Sequence, residues 1–418
     1  MNLNPGQRDT LVSVSCAFFF VVLLRIFTPI AAPLYDARQY LGMAISGLGS
    51  DAPLAAPFAY RPAVSLVARC LIILTHVSLG QAFTLLVLAS SYITLVLSYN
   101  LARTQGVSRF LSGYIVFLLA ASLFVVRYSL YAPFLVDAEA QVLSFAAFYC
   151  VIRGKEKLAV VLSLPGLFFG EFLIVPLIII AVMALRRYRV KHEPGQLWWG
   201  IGTIAVLLAT VALPRILIPI HAVYGANLVT ESPVSDRLLF LESIRLFAIN
   251  LFDVRQVVNI VLAFLSFWLP VLVLLSRRRW ELVATVAEPD RSVLILWVIL
   301  VASLTFLGNT NSMIFVTYTA PVVVYVLSQM VRAGSVSVVE LVYLAIVTVI
   351  FNRAFLPLGT PGGDPLAGIR FYGGYWNRID TVTLWRFGEI IVWVGGGMLL
   401  RKILNMTKTV AEPAPQPQ

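Results

Sequence analysis

The sequence predicts an all-α protein, a polytopic bundle of membrane-spanning helices. Three observations carry that prediction. Of 418 residues, 60% are hydrophobic and only 12% charged, against about a quarter charged in soluble domains. Apolar stretches close to the roughly 20 residues that cross a bilayer recur from Leu11 to Leu400. Short cationic clusters punctuate them. A single transmembrane domain over 1–410 is expected, followed by a disordered, Pro-rich tail over 411–418, "AEPAPQPQ".

Apolar runs bounded by charges place about twelve spans, near 11–30, 79–101, 109–126, 137–152, 157–169, 171–185, 197–219, 256–276, 291–308, 312–331, 335–353 and 382–400. "RGKEK" (Arg153 to Lys157), "RRYRVKH" (Arg186 to His192), "SRRRW" (Ser276 to Trp280) and "RKILNMTK" (Arg401 to Lys408) then share one side. The positive-inside rule makes that side the cytoplasm, with both termini there. The net charge of +11 reflects this bias, so nucleic acid is not an expected partner. The first span, "LVSVSCAFFFVVLLRIF", has no A-x-A cleavage site after it and reads as a retained start-transfer helix. Cys16, Cys70 and Cys150 lack metal-like spacing, and His76, His192 and His221 form no i, i+4 pair. Neither a disulfide framework nor a zinc or histidine metal site is expected.

Outer loops fall at 31–78, 220–255 and 354–381. In the first, "VSLVARCLIILT" (Val64 to Thr75) is too short to span and reads as a helix in the outer interface, entered at Pro62. In "LPGLFFGEFLIVPL" (Leu164 to Leu177) two short runs meet at Gly170-Glu171. Such broken helices are tolerated at membrane depth where they line a polar cavity, expected here to open outward. All five lysines lie on the inner side, whereas the outer loops carry only arginine as a basic residue, including Arg38, Arg61, Arg69, Arg127, Arg353, Arg370 and Arg378. Arginine's planar fork suits phosphate and carboxylate.

Acids also gather on the outer side: Asp36, Asp51, Asp137, Glu139 and Glu171. An ionisable group at bilayer depth costs about 2.5 kcal/mol or more and usually has a partner or a task. Structural roles are available to each candidate. Asp36 and Asp137 suit helix caps, Glu171 suits an ion pair, and Arg61 and Arg127 suit snorkelling to headgroups. No Gly-rich phosphate loop and no G-x-S-x-G elbow is present.

"YDARQYLGMAISG…APFAYRPAVSLVARCL" resembles the first outer loop of the polytopic glycosyltransferases that use polyprenyl-phosphate sugars, the GT-C class. The resemblance extends through "VDAEAQVLSFAAFYCVIRGKEKLAVVLSLPGLFFGEFLIVPL" and covers about Tyr35 to Leu185. It implies a sugar transferred from a lipid-phosphate donor to an outer-face glycan, lipid or protein acceptor. Asp36 would be the general base, with Asp137 and Glu171 orienting sugar hydroxyls or assisting it. Arg61 and Arg127, then Arg370 and Arg378, would bind the donor phosphate. Gln39, Tyr40, Tyr60, Tyr375 and Trp376 would contact substrate. No nucleotide or redox cofactor is implied, because the donor arrives activated; a divalent metal stays open. The chain departs from the family where Ala37 and Arg38 follow Asp36, leaving no paired acid there. The Gly/Pro-rich stretch from Asn352, with Tyr372, Tyr375 and Trp376, suits a lid over sugar rings or an aromatic belt. A multi-pass transporter or lipid flippase is the competing class; a polysaccharide polymerase or ligase depending on the late loops is the other. The expected location is the bacterial inner membrane.

Overall fold

A capping box, not the first apolar residue, starts the first helix. The Gln7 N–H donates to Asn4 Oδ1 at 2.8 Å and the Asn4 N–H donates to Gln7 Oε1 at 3.0 Å. Helix α1 therefore runs Pro5–Ile26, more than a turn ahead of the expected start. The computed structural model describes residues 4–31, 36–48, 55–56, 60–166, 168–218, 222–224, 229–230, 248–249, 251–307, 312–332, 336–354 and 381–411.

After α1 come two short helices, α2 (Asp36–Ser46) and α3 (Ala63–Thr75). The Arg69 guanidinium donates to the Ala44 carbonyl at 3.3 Å, satisfying the end of α2 where Gly47 turns with φ +76°. A second capping box, Ser78 with Gln81, opens α4 (Leu79–Thr104). Helix α5 (Arg109–Ala121) continues through a π-helical turn, Leu123–Arg127, into α6 (Tyr128–Tyr131), bent by 67° at the break. Then follow α7 (Asp137–Ile152), α8 (Glu156–Gly166), a 3₁₀ turn at Glu171–Leu173, α9 (Ile174–Lys191) and α10 (Pro194–Leu217).

The second half holds α11 (Val254–Phe267), α12 (Leu269–Leu274), α13 (Arg277–Ala284) and α14 (Asp290–Leu307). Helix α15 (Ser312–Val316) passes through a 3₁₀ turn, Thr317–Thr319, into α16 (Ala320–Arg332). A third capping box, Ser337 with Glu340, opens α17 (Val338–Phe351), and α18 spans Thr381–Ala411. The described residues are thus predominantly helical, and each predicted apolar stretch is helical over most of its length. Among the described residues three short strands supplement the all-α reading: β1 (Ala55–Ala56) pairs parallel with β2 (Ala222–Tyr224), which pairs antiparallel with β3 (Val229–Thr230). They tie the segment between α2 and α3 to the one that follows α10.

Among the described residues four helices are long and apolar enough to cross a membrane, or five if the bent α5–α6 pair is one span. Their burial differs sharply. Most of the apolar window in Met313–Arg332, 89%, is buried, whereas only 17% is buried in α1 and 18% in α10. Phe18, Phe19, Leu208 and Ile216 point outward from the bundle. A helix that is apolar and largely uncovered needs an apolar solvent. The surface suits a bilayer.

Polar contacts collect at the two ends of the bundle. At one end Asp9 pairs with Arg103 and Arg109, Glu156 with Arg187, Glu288 with Arg186, and Glu340 with Arg279. At the other, the Ala31 N–H donates to the Tyr131 carbonyl at 2.7 Å and Arg61 meets Glu171. Arg353 and Arg386 both meet Glu389 at that end as well.

Candidate functional site

The site is built where the segment leading into α3 meets the break between α8 and α9. Pro165 and Gly166 end α8, and the Phe169 and Gly170 N–H groups both donate back to the Gly166 carbonyl, at 2.8 and 2.9 Å. The chain then enters the 3₁₀ turn with Glu171 first. Opposite, Tyr60-Arg61-Pro62 leads into α3, and the Ala63 N–H donates to the Phe168 carbonyl at 3.1 Å. That backbone bond fixes Arg61 against Glu171. Arg61 Nη2 lies 2.6 Å from Glu171 Oε2, with the side chains 20% and 38% exposed. Burial works against the Arg61 charge, but Glu171, Tyr40 and Asp137 outweigh it and hold the guanidinium well above the ordinary arginine value. Arg61 is a fixed, partly exposed cation.

A second helix break stands across from the first. The Thr317–Thr319 turn carries Tyr318, whose ring stacks on Phe172 with centroids 4.1 Å apart and planes 11° off parallel. Three side chains brace the turn. The Trp297 Nε1–H donates to the Tyr318 carbonyl at 2.9 Å, the Gln141 amide to Thr317 Oγ1 at 2.6 Å, and the Trp268 Nε1–H to Thr319 Oγ1 at 3.1 Å. Gly170 is squeezed between: a Cβ there would stand 3.0 Å from the Ala140 Cβ and 3.8 Å from the Tyr318 hydroxyl. Tyr318 is in electrostatic contact with Asp137, Arg61, Glu171 and Glu139. Three acids, one arginine and one tyrosine from four segments therefore form one cluster.

The structure unites some predicted residues and separates others. Arg61, Glu171 and Asp137 come together. Tyr40 reaches Arg61 electrostatically from α2 but is buried among Met43, Val64 and Phe83, with no open face. Tyr60 is buried too, and the Arg215 guanidinium covers its ring at 4.9 Å. These two tyrosines form a wall behind Arg61. Gln39 is half-buried beside them on α2. Asp36 begins α2 one turn before Tyr40, on the same face; its carboxylate lies outside the described atoms. Arg127 is buried in the π-helical turn, where its guanidinium donates to the Arg353 carbonyl at 2.9 Å. That arrangement ties α5 to the end of α17. Arg370, Arg378, Tyr375 and Trp376 lie outside the described residues, as do Asp51 and Tyr372.

Sequence reasoning did not single out Tyr318, Phe172 or the bracing Trp297. Nothing in an apolar run marks a 3₁₀ break within it. Among the described residues no group of three His, Cys, Asp or Glu side chains is arranged to hold a metal ion. A cavity of about 590 Å³ lies at the opposite end of the bundle, lined by Gln105, Glu288, Asp290, Tyr325, Gln329 and Arg332. Its acids are engaged: Asp290 accepts from the Tyr325 hydroxyl at 2.8 Å, and Glu288 from Ser292 at 2.6 Å. The Arg61 cluster, with a fixed cation and surplus acid, is the better candidate for chemistry. No protein-family model and no curated protein matches the chain.

Proposed function

We propose that this chain is a membrane glycosyltransferase that moves a sugar from a polyprenyl-phosphate donor to an acceptor on the outer face. In this reading about twelve helices cross the bilayer of a bacterial inner membrane, both termini are cytoplasmic, and the Arg61 cluster faces outward. The observation that carries it is the half-open Arg61–Glu171 pair, set between short helices α2 and α3 and the broken α8–α9 hairpin. A donor lipid lying in the outer leaflet would bring its phosphate to that height.

The chemistry follows from the residues. An acceptor hydroxyl attacks the anomeric carbon and gives its proton to the Asp36 carboxylate. The bond from the anomeric carbon to the phosphate oxygen breaks, and the electron pair leaves with polyprenyl phosphate. Arg61 pairs with that leaving charge, and Glu171 keeps the guanidinium in place. Asp137 holds sugar hydroxyls. The donor is already activated, so the step balances without nucleotide or redox cofactor.

The test is mass spectrometry of lipid-linked sugars and outer glycans in cells lacking the chain, complemented with wild type, Asp36→Asn or Arg61→Gln. Transfer predicts accumulated donor lipid and an undersized glycan in the deletion and in both variants. Unchanged pools with the inserted Asp36→Asn protein remove the base assignment. A second reading, a transporter or flippase, is favoured by the pair of helix breaks at Glu171–Leu173 and Thr317–Thr319. Discontinuous helices facing one another are a transporter device. It predicts movement of a labelled lipid across proteoliposomes with no new glycosidic bond.

A further inference from the structure

Glu139 differs from the other acids among the described residues. It is 5% exposed, and neither carboxylate oxygen accepts a hydrogen bond from another residue. The other buried carboxylate among the described residues, Glu340, is paired with Arg279. Glu139 lies in the first turn of α7, two residues after Asp137 and beside Ala140, which packs on Gly170. Around it α7 packs against α4, α8, α9, α16 and both 3₁₀ turns. Among the described residues, the charged and titratable groups that reach it are Asp137 on its own helix and Tyr318 from one turn, and Tyr318 in turn reaches Glu171 and Arg61. The near stretches of α4 (79–91), α8 (160–166), α9 (174–183) and α16 (320–324) bring no ionisable side chain.

Fully ionised, the cluster would hold three negative charges against the one positive charge of Arg61. A desolvated, unpaired carboxylate next to another acid is among the least favourable states a protein interior can hold. Adding a cation relieves it, and the described residues offer no metal-holding group. A proton does so without further ligands. A protonated carboxyl is also a hydrogen-bond donor, which a carboxylate is not.

We propose that Glu139 is the proton-holding residue of this site, a neutral carboxylic acid at rest that donates a hydrogen bond to an anionic ligand held by Arg61. The donor role rests on the reading of Arg61 as a phosphate ligand; the proton assignment does not. Loss of the proton removes a donor and adds a negative charge beside the bound anion. Anion binding therefore weakens as pH rises through the titration of Glu139, by up to about tenfold per pH unit.

The experiment uses the full chain in lipid nanodiscs. Vibrational spectra at neutral pH should contain the carbonyl-stretch band of a buried, protonated carboxylic acid. Glu139→Gln should remove it and Glu171→Gln should leave it. A band that persists in Glu139→Gln, or none in wild type, overturns the assignment. Binding of polyprenyl phosphate is then followed against pH. The alkaline weakening should be present in wild type and absent in Glu139→Gln, which is isosteric with the neutral acid; equal profiles overturn the donor role. If wild type shows the band but binds no polyprenyl phosphate at any pH, the transferase reading and the donor role both fall while the proton stays on Glu139.

Discussion

Removing the Glu340 carboxylate should destabilise the protein more than most single substitutions. Arg279 and Glu340 are 4% and 8% exposed and meet through two bonds, 2.9 and 3.0 Å long. The guanidinium also donates to the Leu274 carbonyl at 3.0 Å, and Glu340 accepts from the Ser337 N–H at 2.9 Å. Arg401 lies within electrostatic reach of both. Glu340→Ala therefore strands one buried cation beside another. Breaking a buried pair from one side costs about 3–5 kcal/mol, and losing the capping box adds about 1 kcal/mol. Glu340→Gln keeps an acceptor for Ser337 and isolates the charge contribution. The double variant Arg279→Met/Glu340→Met should recover most of the loss, because the desolvation penalty disappears with the charges. Equilibrium unfolding in mixed micelles, followed by fluorescence of the eight tryptophans, measures all three. A cost for Glu340→Ala below about 1 kcal/mol, the value of an exposed pair, would refute this account of the Arg279–Glu340 pair.

Trp297→Phe leaves the Tyr318 carbonyl without the indole donor 2.9 Å away. It should cost about 1–3 kcal/mol in the same unfolding assay and lower turnover by loosening the Thr317–Thr319 turn. At Gly397 a Cβ would stand 3.0 Å from the Val273 carbonyl oxygen, so Gly397→Val should push α18 off α12. The expected cost is about 1–3 kcal/mol, read as a lower melting temperature, with Gly395→Ala, which meets nothing, as the control. Ser292 foremost, then Arg186, holds the Glu288 carboxyl below its usual 4.5. A depressed carboxyl stabilises the fold above its unfolded value and loses that contribution as pH falls through its folded value. Thermal stability should therefore drop on acidification below 4.5, and drop less in Glu288→Gln.

Much of the helical plan was legible in the sequence because burial in lipid demands long apolar runs, and such runs are visible without partners. Helix starts were less legible. The first ten residues look too polar for a span, yet Asn4 and Gln7 cap α1 and Asp9 finds Arg103 and Arg109. The site divides along the same line. Arg61, Asp137 and Glu171 stood out singly as charges beside apolar segments; their meeting depends on the backbone bond from Ala63 to Phe168. Arg127 stood out equally and is instead buried against Arg353. Tyr318 was hidden, since a 3₁₀ turn inside "MIFVTYTAPVVV" leaves the apolar pattern unbroken. The short strands among the described residues were hidden for a related reason: two or three residues carry no alternation to read.

The contrast between Glu340 and Glu139 yields one more expectation. Both are nearly inaccessible acids on membrane-type helices, but only Glu340 has a cation and a cap to satisfy it. An acid retained for stability should weaken the fold when replaced. An acid retained for a ligand should not. Burying a polar group without a partner costs about 1–3 kcal/mol, so Glu139→Met, close in volume and without polar atoms, should raise stability by something in that range. The same variant should abolish the alkaline fall in anion binding, the trade-off expected where a site is held at the expense of the fold. If Glu139→Met instead weakens the protein as much as Glu340→Ala does, the carboxyl is part of the scaffold, and the surplus acid beside Arg61 has no ligand to explain it.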